Sequence, residues 1–333
     1  MAGRTHLDVY GLRIEVRGDW PEVLEAVRLD YAWFEAPARA ADPEVEVLIE
    51  RRPADFDAFG ELSASFVTPR NTVYRAGERT IVDHLGHAVS VIDRGDNRMR
   101  IQGEDEHLVH DAVYYFLLGR IGEHLDARGT PRLHALGLVG AQGAVALLLP
   151  SGGGKSTLAV ETLKSDGVSL LSEDSPLLDR NGLLHPFPLR IGVNAGEAAL
   201  LPGGGERRIE RLWLHPKVAL EVDAFAERVS AEPQPLRHIV VGRRSLGREA
   251  TLEPIRREAA LLPLLRDGVV GVGLYQGLGY AHQLGAPELL AKLGTAARRA
   301  RCCAVALARA SVWRLTLGRD AERSWAALEP LLQ

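Results

Sequence analysis

The sequence predicts an α/β protein whose larger, C-terminal part is built around a mixed sheet, with a smaller α+β domain ahead of it. Three observations carry this. A continuously apolar run, Ala144 to Leu149, delivers the chain to a glycine-rich loop, and helical spacing begins at Lys155. Residues 71 to 102 alternate between short apolar strands and turns, and a long amphipathic stretch follows from about Glu104 to Ala127. The character changes near Pro131, which suggests domains at 1–128 and 129–333.

In the first part, Leu7, Val9, Leu12, Ile14 and Val16 alternate as a strand does, with Tyr10-Gly11 as a turn or bulge. Asp19-Trp20-Pro21-Glu22 opens a helix with Asp19 as the candidate cap and Pro21 in its first turn. Val45, Val47 and Ile49 mark another strand, and Arg94-Gly95-Asp96-Asn97 a turn. Gly129 is placed to stop the long helix. No motif lies in this part.

In the second part, Leu133 to Val139 reads as a strand, Gly140 to Gly143 as a turn and Ala144 to Leu149 as a buried strand. A helix follows from Lys155 to about Lys164, then a strand from Val168 to Leu171 that ends in Ser172-Glu173-Asp174. Asp179 to Gly182 is a hairpin turn, and residues 202 to 207 form a glycine-rich, charged loop. Leu220 to Val222, Ile239 to Val241 and Ala304 to Leu307 read as strands. Ala259 to Leu265, Pro287 to Arg299 and Ala321 to Leu332 read as helices.

Composition narrows the partners. The 333 residues carry 40 Lys plus Arg against 44 Asp plus Glu, a formal charge of -4, which gives no global attraction to nucleic acid or anionic membrane. The first residues lack the apolar core of a signal peptide, and no apolar run is long enough to cross a bilayer, so a cytoplasmic location is expected. Cys302 and Cys303 are adjacent, which disfavours a structural disulfide between them. They read as two small buried apolar groups in a reducing compartment.

The loop carries the chemistry. In Leu149-Pro150-Ser151-Gly152-Gly153-Gly154-Lys155-Ser156-Thr157, glycines let backbone N–H groups converge on phosphate oxygens, and the helix start adds unpaired N–H groups and a positive dipole end. Lys155 is suited to β and γ phosphates, and the Ser156 hydroxyl to Mg2+. The pattern G-x-x-x-x-G-K-[ST] wants glycine at 149, where this chain has leucine, so altered entry geometry is expected with phosphate binding retained. Glu173 and Asp174 stand where a strand end would present a metal-binding carboxylate and a proton acceptor. A hairpin of 133–139 with 144–149 would bring His134 to the same end of the sheet, able to bond a carboxylate or approach a metal.

His134, the loop Ser151 to Ser156 and the pair Glu173-Asp174 resemble the core of the HPr kinase/phosphorylase family, a core shared with phosphoenolpyruvate carboxykinase. Members carry a histidine on the preceding strand, a G-x-S-G-x-G-K-S loop and an Asp-Asp pair at the next strand end. The chain also resembles the HPr-kinase-related proteins of bacterial peptide natural-product clusters, including lasso-peptide kinases. Leu133-His134-Ala135-Leu136-Gly137, the loop and Pro186-Phe187-Pro188-Leu189-Arg190 carry that likeness, over roughly residues 130 to 195. It implies Lys155 on phosphates, Ser156 and Asp174 on Mg2+, Glu173 as the candidate base, His134 in support, and Arg190 near the transferred group. Glu173 replaces an Asp, so which acid of the pair is the base stays open.

The expectation is an ATP-dependent kinase that moves the γ-phosphoryl group to a hydroxyl: a Ser of a peptide or protein, or a small-molecule alcohol. A homo-oligomer is compatible with this. The alternatives are a P-loop ATPase and a nucleotide-gated peptide-binding module. The ABC-type signature Leu-Ser-Gly-Gly-Gln is absent, and Gly203-Gly204-Gly205 lacks the context to replace it.

Overall fold

A computed structural model describes residues 3–38, 42–93, 95–194, 207–209, 216–271 and 286–333, the side chains of 286–289 excepted. Residues 202–206 of the expected 202–207 loop and Arg94 of the expected 94–97 turn lie outside the described residues. The fold is mixed α/β with large mixed sheets. The chain divides into two compact units, Met1–Ile121 with Arg208–Lys217, and Gly122–Arg207 with Val218–Gln333.

The first unit holds an eight-stranded sheet. Strands β1 (Gly3–Val9) and β2 (Leu12–Gly18) form a hairpin whose two turn residues, Tyr10 and Gly11, both have positive φ (53° and 87°). That geometry matches the strands' right-handed twist. The Asp8 carboxylate accepts from the Gly11 N–H at 2.8 Å. Helix α1 (Pro21–Asp30) carries the chain to β3 (Val45–Arg51), parallel to β2. Strands β4 (Phe66–Val67), β5 (Thr72–Ala76), β6 (Arg79–Asp83), β7 (Ala88–Asp93) and β8 (Arg98–Gly103) complete the order β1-β2-β3-β8-β7-β6-β5-β4. Alternate residues Leu7, Val9, Ile14, Val16, Val45, Val47 and Ile49 are buried, as a half-buried sheet requires. Asp19 is not the cap of α1. Trp20 occupies that position, and the Asp19 carboxylate is engaged by the Arg51 N–H at 2.8 Å. Helix α2 (Glu106–Arg128) ends at Gly129, whose φ is +75°.

The second unit is organised on another eight-stranded sheet. It contains β9 (Leu136–Gly140), β10 (Gly143–Leu148), β11 (Ser169–Ser172), β12 (Leu177–Leu178) and β13 (Leu183–His185). Strands β14 (Ile191–Asn194), β15 (Arg207–Ile209) and β16 (Lys217–Leu220) make a small sheet of their own. Strands β17 (Gln234–Arg244), β18 (Thr251–Pro254) and β19 (Ser311–Leu317) complete the large one, in the order β11-β9-β10-β17-β13-β12, with β19 pairing β17 and β18. Strand β10 pairs antiparallel with β9 and parallel with β17, so the sheet is mixed at the strand that leads to the loop. Its residues Ala144 to Leu148 are fully buried, which explains a run with no polar alternation. Helices α3 (Lys155–Lys164), α4 (Leu261–Leu264), α5 (Ala286–Arg309) and α6 (Ala321–Leu328) complete the unit, and α4 runs straight into a π-helical turn, Leu265–Val270.

Three strand expectations are corrected. The strand expected from Leu133 begins at Leu136. The N–H groups of Leu133, His134 and Ala135 bond to Pro176, Asp267 and Asp174 carbonyls, so they are not in the ladder with β10. Leu220 to Val222 is not a strand: β16 stops at Leu220 and Val222–Ala224 is a short 3-10 turn. Ala304 to Leu307 lies within α5. Cys302, Cys303 and Ala306 pack into the core from that helix, and the strand of this region is β19, just beyond it. Both cysteines are free and buried.

Candidate active site

The loop between β10 and α3 is shaped by its neighbours. Gly154 caps α3 with φ +107°, a conformation that side chains rarely adopt, and makes no side-chain cap. The N–H of Gly153 bonds the Pro150 carbonyl at 2.9 Å, which closes the turn. Leu149, where the pattern asks for glycine, is fully buried. A Cβ on Gly242 of β17 would lie 2.5 Å from Leu149 Cδ2, so the missing side chain at 242 leaves the volume that Leu149 fills. Bulk at 149 and its absence at 242 form one packing unit across two parallel strands, and the glycine rule is broken without opening the core.

Lys155 begins α3 and turns inward, its side chain 5% exposed. Its ammonium lies against three groups: the Leu149 carbonyl at 2.8 Å, His134 Nε2 at 2.9 Å and Asp174 Oδ1 at 3.1 Å. His134 Nε2 also lies 3.2 Å from Asp174 Oδ1, and His134 Nδ1 lies 3.4 Å from Asp267 Oδ1. Arg266 also holds the Asp267 carboxylate, Nε on Oδ1 at 2.8 Å and Nη2 on Oδ2 at 2.5 Å. Beside this cluster the Ser156 hydroxyl donates to Glu173 Oε1 at 2.6 Å.

The electrostatics follow from these contacts. Burial disfavours the charged imidazole of His134, yet its bonds to Asp174 and Asp267 outweigh burial and raise its pKa to about 9, against the opposing charge of Lys155. The 2.9 Å nitrogen–nitrogen contact needs a hydrogen on one atom and a lone pair on the other, so Lys155 Nζ and His134 Nε2 cannot both point a hydrogen along that line. Desolvation pushes Asp174 upward, but His134 and Lys155 prevail and hold it below the usual carboxylate range. Asp267 is lowered in the same way: its burial acts upward, and Arg266 and His134 override it.

His134, Lys155 and Asp174 thus converge on one point, and Ser156 and Glu173 pair beside it. The sequence paired Ser156 with Asp174 in holding metal, whereas its hydroxyl bonds Glu173. Ser151 and Gly152 form the exposed outer part of the loop, and Thr157 lies in the first turn of α3. Arg190 is half-buried between β13 and β14 and contributes none of the contacts above. Two groups escaped sequence reasoning. Asp267 lies 133 residues beyond His134, in a stretch without a motif. Arg244, exposed at the end of β17, brings its guanidinium to the loop: a Cβ on Gly154 would lie 3.1 Å from Nη1. The signal for Arg244 was the parallel pairing of its strand with β10, which no local pattern reveals.

No protein-family model matches the chain. No curated protein matches it significantly either. Among the described residues, no three His, Cys, Asp or Glu side chains converge as metal ligands, and no helix is long and apolar enough to cross a membrane.

Proposed function

We propose that the chain is an ATP-dependent kinase that transfers the γ-phosphoryl group to a hydroxyl acceptor with Mg2+, built on a core like that of phosphoenolpyruvate carboxykinase and HPr kinase. One observation carries the reading. A buried lysine at the first position of a helix, behind a glycine loop at a strand end, lies within 3.2 Å of both a histidine and a carboxylate. Nothing in folding alone favours burying that charge, whereas a polyphosphate arriving at the loop would meet it directly.

The donor set suits Mg2+. The Ser156 hydroxyl and the carboxylates of Glu173 and Asp174 are hard oxygens at one end of the sheet. Mg2+ is ordinarily held by one or two carboxylates, its remaining ligands coming from phosphate and water. When bound, it would draw charge from the transferred group. Asp174, held ionised by its cationic neighbours, suits the metal side, and Glu173 the base side. The acceptor oxygen attacks the γ-phosphorus, the bond to the bridging β–γ oxygen breaks, ADP leaves, and the hydroxyl proton passes to the carboxylate. Lys155 and Arg244 would meet the phosphates. The acceptor is a Ser of a peptide or protein, or a small alcohol.

Incubation with [γ-32P]ATP and candidate peptides and alcohols tests this. Lys155→Ala should lower transfer by about 10²–10³, the scale of a lost transition-state donor. Rapid acceptor-independent hydrolysis would instead indicate an ATPase, and saturable ATP binding without transfer a nucleotide-gated module.

A further inference from the structure

We propose that Asp267 is the positioning residue of the site, holding the His134 ring so that Nε2 faces Lys155 and Asp174. The inference rests on the kinase reading above and adds a group from a distant part of the chain. Asp267 touches His134 twice. Its backbone carbonyl accepts from the His134 N–H at 2.9 Å, and its carboxylate lies 3.4 Å from His134 Nδ1. The first contact fixes where the histidine backbone sits. The second fixes the ring about χ2, because a ring flipped to present carbon to Asp267 would turn Nε2 away from Lys155.

The support for Asp267 is itself over-determined. Its side chain is 3% exposed, and Arg266 binds both carboxylate oxygens, so the carboxylate has one orientation left. The segment is a π-helical turn, a widened geometry frequent at functional sites. Its register is pinned next door: a Cβ on Gly268 would lie 2.5 Å from Cys303 Sγ and 3.2 Å from Leu133 Cδ1. A salt bridge serving stability alone would need only Arg266 and Asp267. Here the same carboxylate also reaches His134, an imidazole in contact with the loop lysine. A carboxylate behind a metal-bound imidazole orients its far nitrogen and typically costs 10–100-fold when lost, and the same scale is expected for this pair.

Two measurements on the full chain separate this proposal from the kinase reading. The first needs neither nucleotide nor acceptor. In histidine-labelled protein, the His134 Nδ1-bound proton, assigned by its absence in His134→Gln, should give a downfield, slowly exchanging 1H–15N signal. Asp267→Ala should abolish that signal and Asp267→Glu should restore it. The second is phosphoryl transfer. Asp267→Asn, nearly isosteric and checked for folding by its melting temperature, should lower kcat by about 10–100-fold and leave the Kd for MgATP within twofold. An unchanged Nδ1 signal in Asp267→Ala overturns the proposal, as does full kcat in a folded Asp267→Asn. A wild type that transfers nothing, with the Nδ1 signal behaving as expected, rejects the kinase and retains the positioning role.

Discussion

Charge is handled in opposite ways in the two units. On the first unit's sheet, Arg98 pairs with Glu46 at 3.1 Å, and Arg100 and Arg52 share Glu50 at 2.5 and 3.1 Å. These arginines are about half exposed, and Arg98 faces Glu46 across the β3–β8 ladder. Such pairs lie in water, keep the strands in register and contribute roughly 0–1 kcal/mol each. In the second unit, Lys155, His134, Asp174 and Asp267 share partners, and Lys155 and Asp267 are almost wholly buried. Burying ions costs several kcal/mol each unless every donor and acceptor is met. The lesson is that counting ion pairs finds the first region, whereas asking where charge is expensive finds the second.

This contrast is sharpened by pH. The folded-state pKa of His134 lies at about 9, above the unfolded value of about 6.5. Its contribution to stability is therefore fully present below about pH 6.5 and lost as pH rises through 9. Asp174 and Asp267 are shifted down, so their contributions are present above about pH 4 and fall away in more acid solution. Urea unfolding at pH 6.5 and 9.5 should show the wild type losing as much as about 3 kcal/mol more than His134→Gln over that interval. Equal losses in the two proteins would mean that the imidazole is not held as described.

The smaller effect comes from the other region. Arg98→Ala removes an exposed pair and should cost less than about 1 kcal/mol, an amount that shrinks as salt is added. Nucleotide binding should not change. A loss of several kcal/mol would show that the sheet-face ladder is more than a register device.

The parts of the site legible in the sequence were those whose signal is local. A fully apolar β10, three glycines and the start of helical spacing at Lys155 sit within fifteen residues, and the helix does run from Lys155 to Lys164. The two ends of a tight hairpin also brought His134 to the loop, although His134 precedes β9 rather than lying on it. What escaped depends on pairing between distant segments. Asp267 reaches the site through a π-helical turn, and Arg244 through the parallel β10–β17 register. Ala304 to Leu307 misled for another reason: four small or branched apolar residues fit a buried strand and a buried helix equally well, and length decides only when the flanks are read with them. Asp19 had the chemistry of a cap, but Arg51 on β3 claimed its carboxylate.

The central claim is that the loop from Leu149 to Ser156, with Lys155 behind it, grips a chain of phosphates. Calorimetric titration of MgATP into wild type and Lys155→Met tests it without knowledge of the acceptor. The account predicts saturable one-to-one binding to the wild type and affinity at least tenfold weaker in the variant, about 1.4 kcal/mol or more. Equal affinities in the two proteins, or no binding to a folded wild type, would contradict it.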